Sequence, residues 1–227
     1  MARIVAFGCS FTYGEGLPDW DKIKRLPSRF AWPAVIGKKL DYEVLNQGIP
    51  GGGNKQCAMK VLDTEFDEDD IAIFYWTFWH RDVIFRENKG KRCDLKILPS
   101  QNENFKEYKK HDKSILQFYY TKAYDPFHCF IEDIAWINHA KYHLDGLGVK
   151  NFHFTVMPIP YTEPGLGLLS LRTLRKRKIH LPKWNKVDFV QLCHRKFQVD
   201  EMPDGHPGVK TQSIMANKIL KVIEKEL

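Results

Sequence analysis

Four short strand-like runs, at residues 4–7, 42–45, 71–76 and 151–157, alternate with stretches whose apolar residues recur at helical spacing. The first, Ile4-Val-Ala-Phe7, and the third, Ile71-Ala-Ile-Phe-Tyr-Trp76, contain no charged residue, as expected of strands covered on both faces. Strands that alternate with helices are joined by right-handed crossovers, which produce a parallel sheet with helices on both sides. At 227 residues, 43% hydrophobic and 13% aromatic, the chain can bury one sizeable core, so a single domain over 1–227 is expected.

The helical stretches are read at 29–40, with Ser28 as its cap and Pro33 in its first turn, and at 55–66, 113–122, 126–147 and 208–227. In the long 126–147 stretch, Phe130, Ile131, Ile134 and Ile137 form an apolar face. Residues 86–104 are polar and read as an excursion from the core. Residues 159–200 combine prolines, a basic run and isolated aromatics, and are expected to form a lid or insertion.

The formal charge is +7, and much of the excess lies at Arg172, Arg175, Lys176, Arg177, Lys178, Lys183 and Lys186. Such a run is most often a solvated face; a polyanion site through 172–186 is the alternative. Five cysteines without a C-x-x-C pair argue against a disulfide framework and for a reducing compartment. No apolar run approaches the length of a membrane span, and no basic-then-apolar leader precedes the strand at 4–7. A cytoplasmic location away from membranes is the expectation; oligomeric state is not legible.

The chemistry gathers at strand ends. The first strand stops at Gly8-Cys-Ser10, and a serine just past a buried strand stands where open α/β sheets bind their ligands. Taken alone, Ser10 reads better as a helix N-cap. A glycine-rich loop, Asn46-Gln-Gly-Ile-Pro-Gly-Gly-Gly-Asn54, follows the second strand. It has neither the Gly-Lys-Ser/Thr of a phosphate loop nor the spacing of a dinucleotide fingerprint. Late in the chain, Asp204-Gly-His206-Pro-Gly is a turn before the last helix. A serine alkoxide does not form unaided near neutrality. It needs an imidazole to take its proton and a carboxylate to orient that imidazole, and His206 and Asp204 are of the right types.

Together these stretches resemble the SGNH, or GDSL-like, hydrolase family. Gly8-Cys9-Ser10 stands where that family has Gly-Asp-Ser, Asn46 to Gly51 resembles its second block, and Asp204 and His206 match its late Asp and His. The resemblance implies a three-layer α/β fold with a parallel sheet in flavodoxin-like order and helices on both faces. It also implies a serine esterase or O-deacetylase acting on a small-molecule or carbohydrate ester, with no cofactor or metal. Ser10 would be the nucleophile, His206 the base and Asp204 its orienter. The N–H groups of Ser10 and Gly51 would hold the oxyanion. The chain departs from the pattern in three places. After the third strand, Trp76-Thr-Phe-Trp-His-Arg81 lacks the family's asparagine, so Asn54, Arg81, Thr77 or His80 would have to stand in. Cys9 replaces an aspartate and is expected to be buried and inert. The last block is Asp-x-His rather than Asp-x-x-His. A rival reading follows from these departures: a non-catalytic binding or assembly module that works through its basic surface.

Overall fold

The computed structural model describes residues 3–21, 23–24, 26–79, 81–84, 87–88, 91–92, 95–97, 110–119, 126–156 and 188–226. In chain order the elements are β1 (Arg3–Gly8), α1 (Ser10–Tyr13), α2 (Trp32–Leu40), β2 (Glu43–Asn46), α3 (Asn54–Leu62) and β3 (Ile71–Trp76). Next come the short strands β4 (Asp82–Ile84), β5 (Glu87–Asn88), β6 (Lys91–Arg92) and β7 (Leu95–Ile97). The helices α4 (Lys110–Phe118) and α5 (Pro126–Gly146) follow, then β8 (Lys150–Thr155), β9 (Phe189–Gln191) and α6 (Val209–Ile223).

β1 lies inside the sheet, in the order β2-β1-β3-β8-β9. All four pairings are parallel, so the sheet has the flavodoxin-like order. Period-two alternation divides the core. Val5, Phe7, Ala72, Phe74 and Trp76 face α3 and α5 with Cys57, Val61, Phe130, Ile134 and Ile137. Ile4, Ala6, Ile71, Ile73 and Tyr75 face the other way, onto α2 and α6 with Trp32, Ile36, Met215 and Ile219. The fold is a three-layer α/β sandwich. No described helix is long and apolar enough to cross a membrane.

Two polar devices fix the register of this frame. Arg3 donates to the buried carboxylate of Asp70 through Nη2 at 2.6 Å, Nε at 3.0 Å and its own N–H at 3.2 Å, tying the start of β1 to the residue before β3. Burial works against the charge on Asp70, yet the Arg3 hydrogen bonds and the Asp67 N–H hold this carboxyl below its usual range. On α6, the buried Gln212 accepts the N–H of Trp32 at 3.0 Å and donates to the carbonyl of Phe11 at 3.1 Å. One side chain therefore joins α1, α2 and α6.

Several elements differ from the sequence reading. The helix expected from 29 begins at Trp32, because the Ser28 hydroxyl donates to Asp19 and accepts the Phe30 N–H instead of capping it. Within the 86–104 excursion β5 pairs antiparallel with β6, and β7 pairs antiparallel with β4, which precedes the excursion. Phe189–Gln191, inside the stretch read as a lid, is the fifth strand of the sheet. The basic run 172–186 lies outside the described residues, as does His80.

Candidate active site

The C-terminal ends of the strands carry the site. β1 ends at Gly8, where a methyl group would lie 2.1 Å from Thr12 Oγ1 and 2.8 Å from the Tyr75 carbonyl, so glycine lets the chain turn at once into α1. Cys9 is the N-cap residue and makes no side-chain cap. Ser10 is therefore the first residue of the helix and not its cap. Its side chain is buried, and among the described residues its hydroxyl makes no hydrogen bond. The Cys9 side chain is buried within the α2–α6 layer of the core.

The glycine-rich loop lies against the same strand end, with the Gln47 N–H on the Ala6 carbonyl and the Ile49 N–H on the Gly8 carbonyl, both at 2.8 Å. Asn46 closes it by donating to the Thr12 carbonyl at 2.7 Å and accepting the Gly48 N–H at 3.0 Å. Gly48 thereby uses its amide, and Gly52 gives its own to Ile49. The Gly51 amide takes no part in these bonds, and Gly51 has φ +65°. Arg81 lies over the Phe78 ring at 4.6 Å and reaches the Gly52 carbonyl at 3.5 Å, so it belongs to this loop's surroundings.

Asn54, read as a stand-in oxyanion donor, has another task. Its Oδ1 accepts the Thr77 N–H at 2.8 Å, while its amide donates to Asp133 at 2.8 Å and to the Thr77 carbonyl at 3.4 Å. Fully buried, it clamps the end of β3 and has no proton left for a ligand. Burial, followed by the nearby Asp82 and Glu132, pushes Asp133 well above the usual carboxylate range, against the pull of the Asn54 bond.

His206 sits in a tight loop closed by the Met202 N–H on the His206 carbonyl and the Gly205 N–H on Met202. Asp200 anchors that loop to α6 by accepting the N–H groups of Lys210 and Thr211. His206 Nδ1 is 3.0 Å from Asp204 Oδ1, an ion-pair distance, but the carboxylate is not aligned to accept from the ring. The missing residue of the last block explains this. With only Gly205 between them, Asp204 folds back and accepts the backbone N–H of His206 at 3.2 Å. The other ring nitrogen, Nε2, faces Glu15 at 3.9 Å. Phe11, the neighbour of Ser10, presents its ring to two histidines, His206 at 5.5 Å and His194 at 4.6 Å, both edge-on. Phe11, the residue after Ser10, thus packs against His206.

His194 and Glu15 were not singled out from the sequence. His194 follows β9, is buried, and leaves Nδ1 without a partner. Burial, with Arg195 and His206 adding to it, lowers its pKa to about 4. His153 on β8 is neutral for a related reason: it stacks on Phe74, accepts the Trp76 indole N–H at 3.0 Å and meets Asn151 Oδ1 at 2.9 Å, and burial lowers it to about 3. Among the described residues no three His, Cys, Asp or Glu side chains converge as a metal ion would require.

These groups predict an acid-sensitive fold. Both histidines are depressed, so their contribution is complete above the unfolded value near 6.5 and is lost as pH falls toward 4 and 3. Asp133, raised by burial, works in the opposite sense. The two histidines outweigh the one carboxyl once the unfolded imidazoles are mostly protonated, so stability is expected to fall by on the order of 1 kcal/mol as pH falls from 6.5 to 5, above the range in which ordinary carboxylates titrate. Urea unfolding at pH 7.5, 6.5 and 5 measures it; an unchanged free energy across that window would contradict the neutral, buried histidines.

No family model and no curated protein matches the chain. Solved structures do. A family two carbohydrate esterase from Clostridium thermocellum, in complex with cellohexaose, is similar at 15% identity and TM-score 0.51, over 99% of this chain and 64% of that one. An acetyl xylan esterase from the rumen bacterium Butyrivibrio proteoclasticus is similar at 14% identity and TM-score 0.50, again over 99% and 64%. A member of the lipolytic G-D-S-L family from Veillonella parvula also matches, at 12% identity and TM-score 0.49, over 98% of each chain. This chain spans about two thirds of the length of the two carbohydrate esterases. At such identities what the chain shares with the two carbohydrate esterases is the fold, the three-layer α/β sandwich that the sequence predicts.

Proposed function

We propose that the chain is a serine hydrolase of the esterase or O-deacetylase type, acting on an ester of a small molecule or carbohydrate. The observation that carries this reading is one constellation. A serine with an unengaged hydroxyl stands at the end of the buried β1, and its neighbour Phe11 packs against a histidine that is paired with a carboxylate. Ser10 attacks the carbonyl carbon as His206 takes its proton. The tetrahedral intermediate collapses, and His206 returns the proton to the leaving alcohol. Water then repeats the sequence on the acyl-enzyme. Asp204 stands 3.0 Å from Nδ1 without a hydrogen bond to the ring, so it acts by proximity of charge rather than by orienting the ring.

The developing oxyanion needs donors. The amides of Ser10 and Gly51 suit the task, being outside the bonds that hold their own segments together. Arg81, beside the glycine-rich loop, would supply charge where the family has its asparagine. Asn54 serves by holding Thr77 in place. The names of the structural neighbours favour an acyl group on a carbohydrate as the substrate.

A panel of model esters, aryl acetates and acetylated sugars among them, tests the reading with Ser10→Ala as control. Turnover in the natural chain that vanishes in Ser10→Ala is expected. Turnover that survives in Ser10→Ala but disappears on thiol blocking would assign the chemistry to a cysteine. No turnover of any ester would favour the binding module.

A further inference from the structure

The reading above leaves Glu15 without a role, although the fold holds it firmly. Its N–H donates to the Ser10 carbonyl at 3.1 Å, closing the turn that follows the nucleophile. It lies between Gly14 at φ +81° and Gly16 at φ +82°, conformations that strain any residue with a side chain. A methyl group on Gly16 would stand 2.4 Å from Asp204 Oδ2, so this turn is packed against the turn that carries the base. The Glu15 backbone cannot shift without disturbing both.

The carboxylate stands 3.9 Å from His206 Nε2, and its side chain is 28% exposed. Asp204 stands on the Nδ1 side of the ring, at 3.0 Å, so Nε2 is the nitrogen left to pass the proton to the leaving alcohol in an ester hydrolase. Whatever departs from that nitrogen leaves beside a fixed negative charge. A carboxylate accepts hydrogen bonds from hydroxyl groups, attracts a cation and repels an anion.

We propose that Glu15 selects the leaving group by charge, so that the site favours esters of cationic or neutral, hydroxyl-bearing alcohols and rejects esters of anionic ones. This inference rests on the hydrolase reading and deepens it. The formal charge of the chain is +7, so a long-range field would favour anionic substrates. A cationic preference at the site therefore points to a local carboxylate.

The test uses three phenyl acetates that differ in one meta substituent: trimethylammonio, hydroxymethyl and sulfonate. kcat/KM is measured for each with the natural chain, Glu15→Gln and Glu15→Lys. Comparing cation-to-anion ratios between proteins cancels the intrinsic reactivity of the esters. The ratio is expected to fall about tenfold in Glu15→Gln and about tenfold again in Glu15→Lys, the size expected for one unit charge several ångströms away in a partly solvated site. Raising the salt should shrink the difference. Circular dichroism and thermal midpoints establish that both variants fold; the partial exposure of Glu15 favours this, and Glu15→Asp supplies a third, charge-retaining variant that should keep the preference. Ratios that stay equal in all the proteins while turnover persists would overturn the role of Glu15 and leave the hydrolase reading standing. Absence of turnover with all three esters in the natural chain would overturn both.

Discussion

Ser10→Ala and His206→Ala are each expected to lower turnover by on the order of 10⁴-fold or more, and the double variant by little further. Nucleophile and base act as a unit in the proposed reaction. Once either is gone, what remains is the catalysis supplied by binding and the oxyanion donors, and removing the second partner costs little more. Arg81→Ala should be milder, on the order of a hundredfold, if the guanidinium supplies one donor to the oxyanion. Asp204→Asn should also be mild for this chain. Its carboxylate contributes by charge from a partly exposed position and does not orient the ring through a hydrogen bond. Steady-state kinetics on one aryl ester would rank these variants. Full activity in Ser10→Ala, or multiplicative losses in the double variant, would break the scheme.

The second large effect is on stability. Asn54→Leu is expected to cost about 3 kcal/mol of unfolding free energy, several times the effect of an ordinary surface change. Leucine keeps the number and branching of the heavy atoms and is no smaller, so none of the loss would be a cavity. The cost comes from polar groups left behind in a dry place. The Thr77 N–H loses its acceptor, and Asp133 loses the amide that donates to it. Thr77 Oγ1 already lacks a partner there, so the site is short of polar partners before the substitution. Urea denaturation with the m-value monitored measures the effect; a loss below about 1 kcal/mol would mean that water reaches the clamp.

How far the sequence could be read depends on where each signal is written. β3 was legible at both ends because Ile71 to Trp76 are buried on both faces, and nothing but apolar residues is tolerated there. The long α5 was legible from its periodic face. β9 was not, because a three-residue edge strand with Val190 partly exposed presents no apolar pattern. The late start of α2 depends on Asp19 capturing Ser28, a contact that spacing cannot announce. Within the site, the distance from Asn46 singles out Gly51 over Gly48 as the proposed donor, and the Gly48 amide is spent on Asn46. Asn54 was misread because its partners, Thr77 and Asp133, lie 23 and 79 positions away. Glu15 and His194 carry no motif at all. They are recognisable only once Phe11 and His206 are seen beside them.

The bridge made by Gln212 bears on the order of assembly. The bond from its amide to the Phe11 carbonyl joins residues 201 positions apart. Closing a loop of that length carries a large entropic penalty that no local interaction offsets in advance. The parallel strands and their crossover helices can collapse beforehand, since each pairing brings together much nearer segments. The serine turn would then exist in a compact but unlocked chain until α6 docks. Refolding followed by far-UV circular dichroism should accordingly run ahead of refolding followed by ester turnover, and Gln212→Leu should widen the gap. Simultaneous recovery of the two signals in both proteins would show that α6 belongs to the folding nucleus.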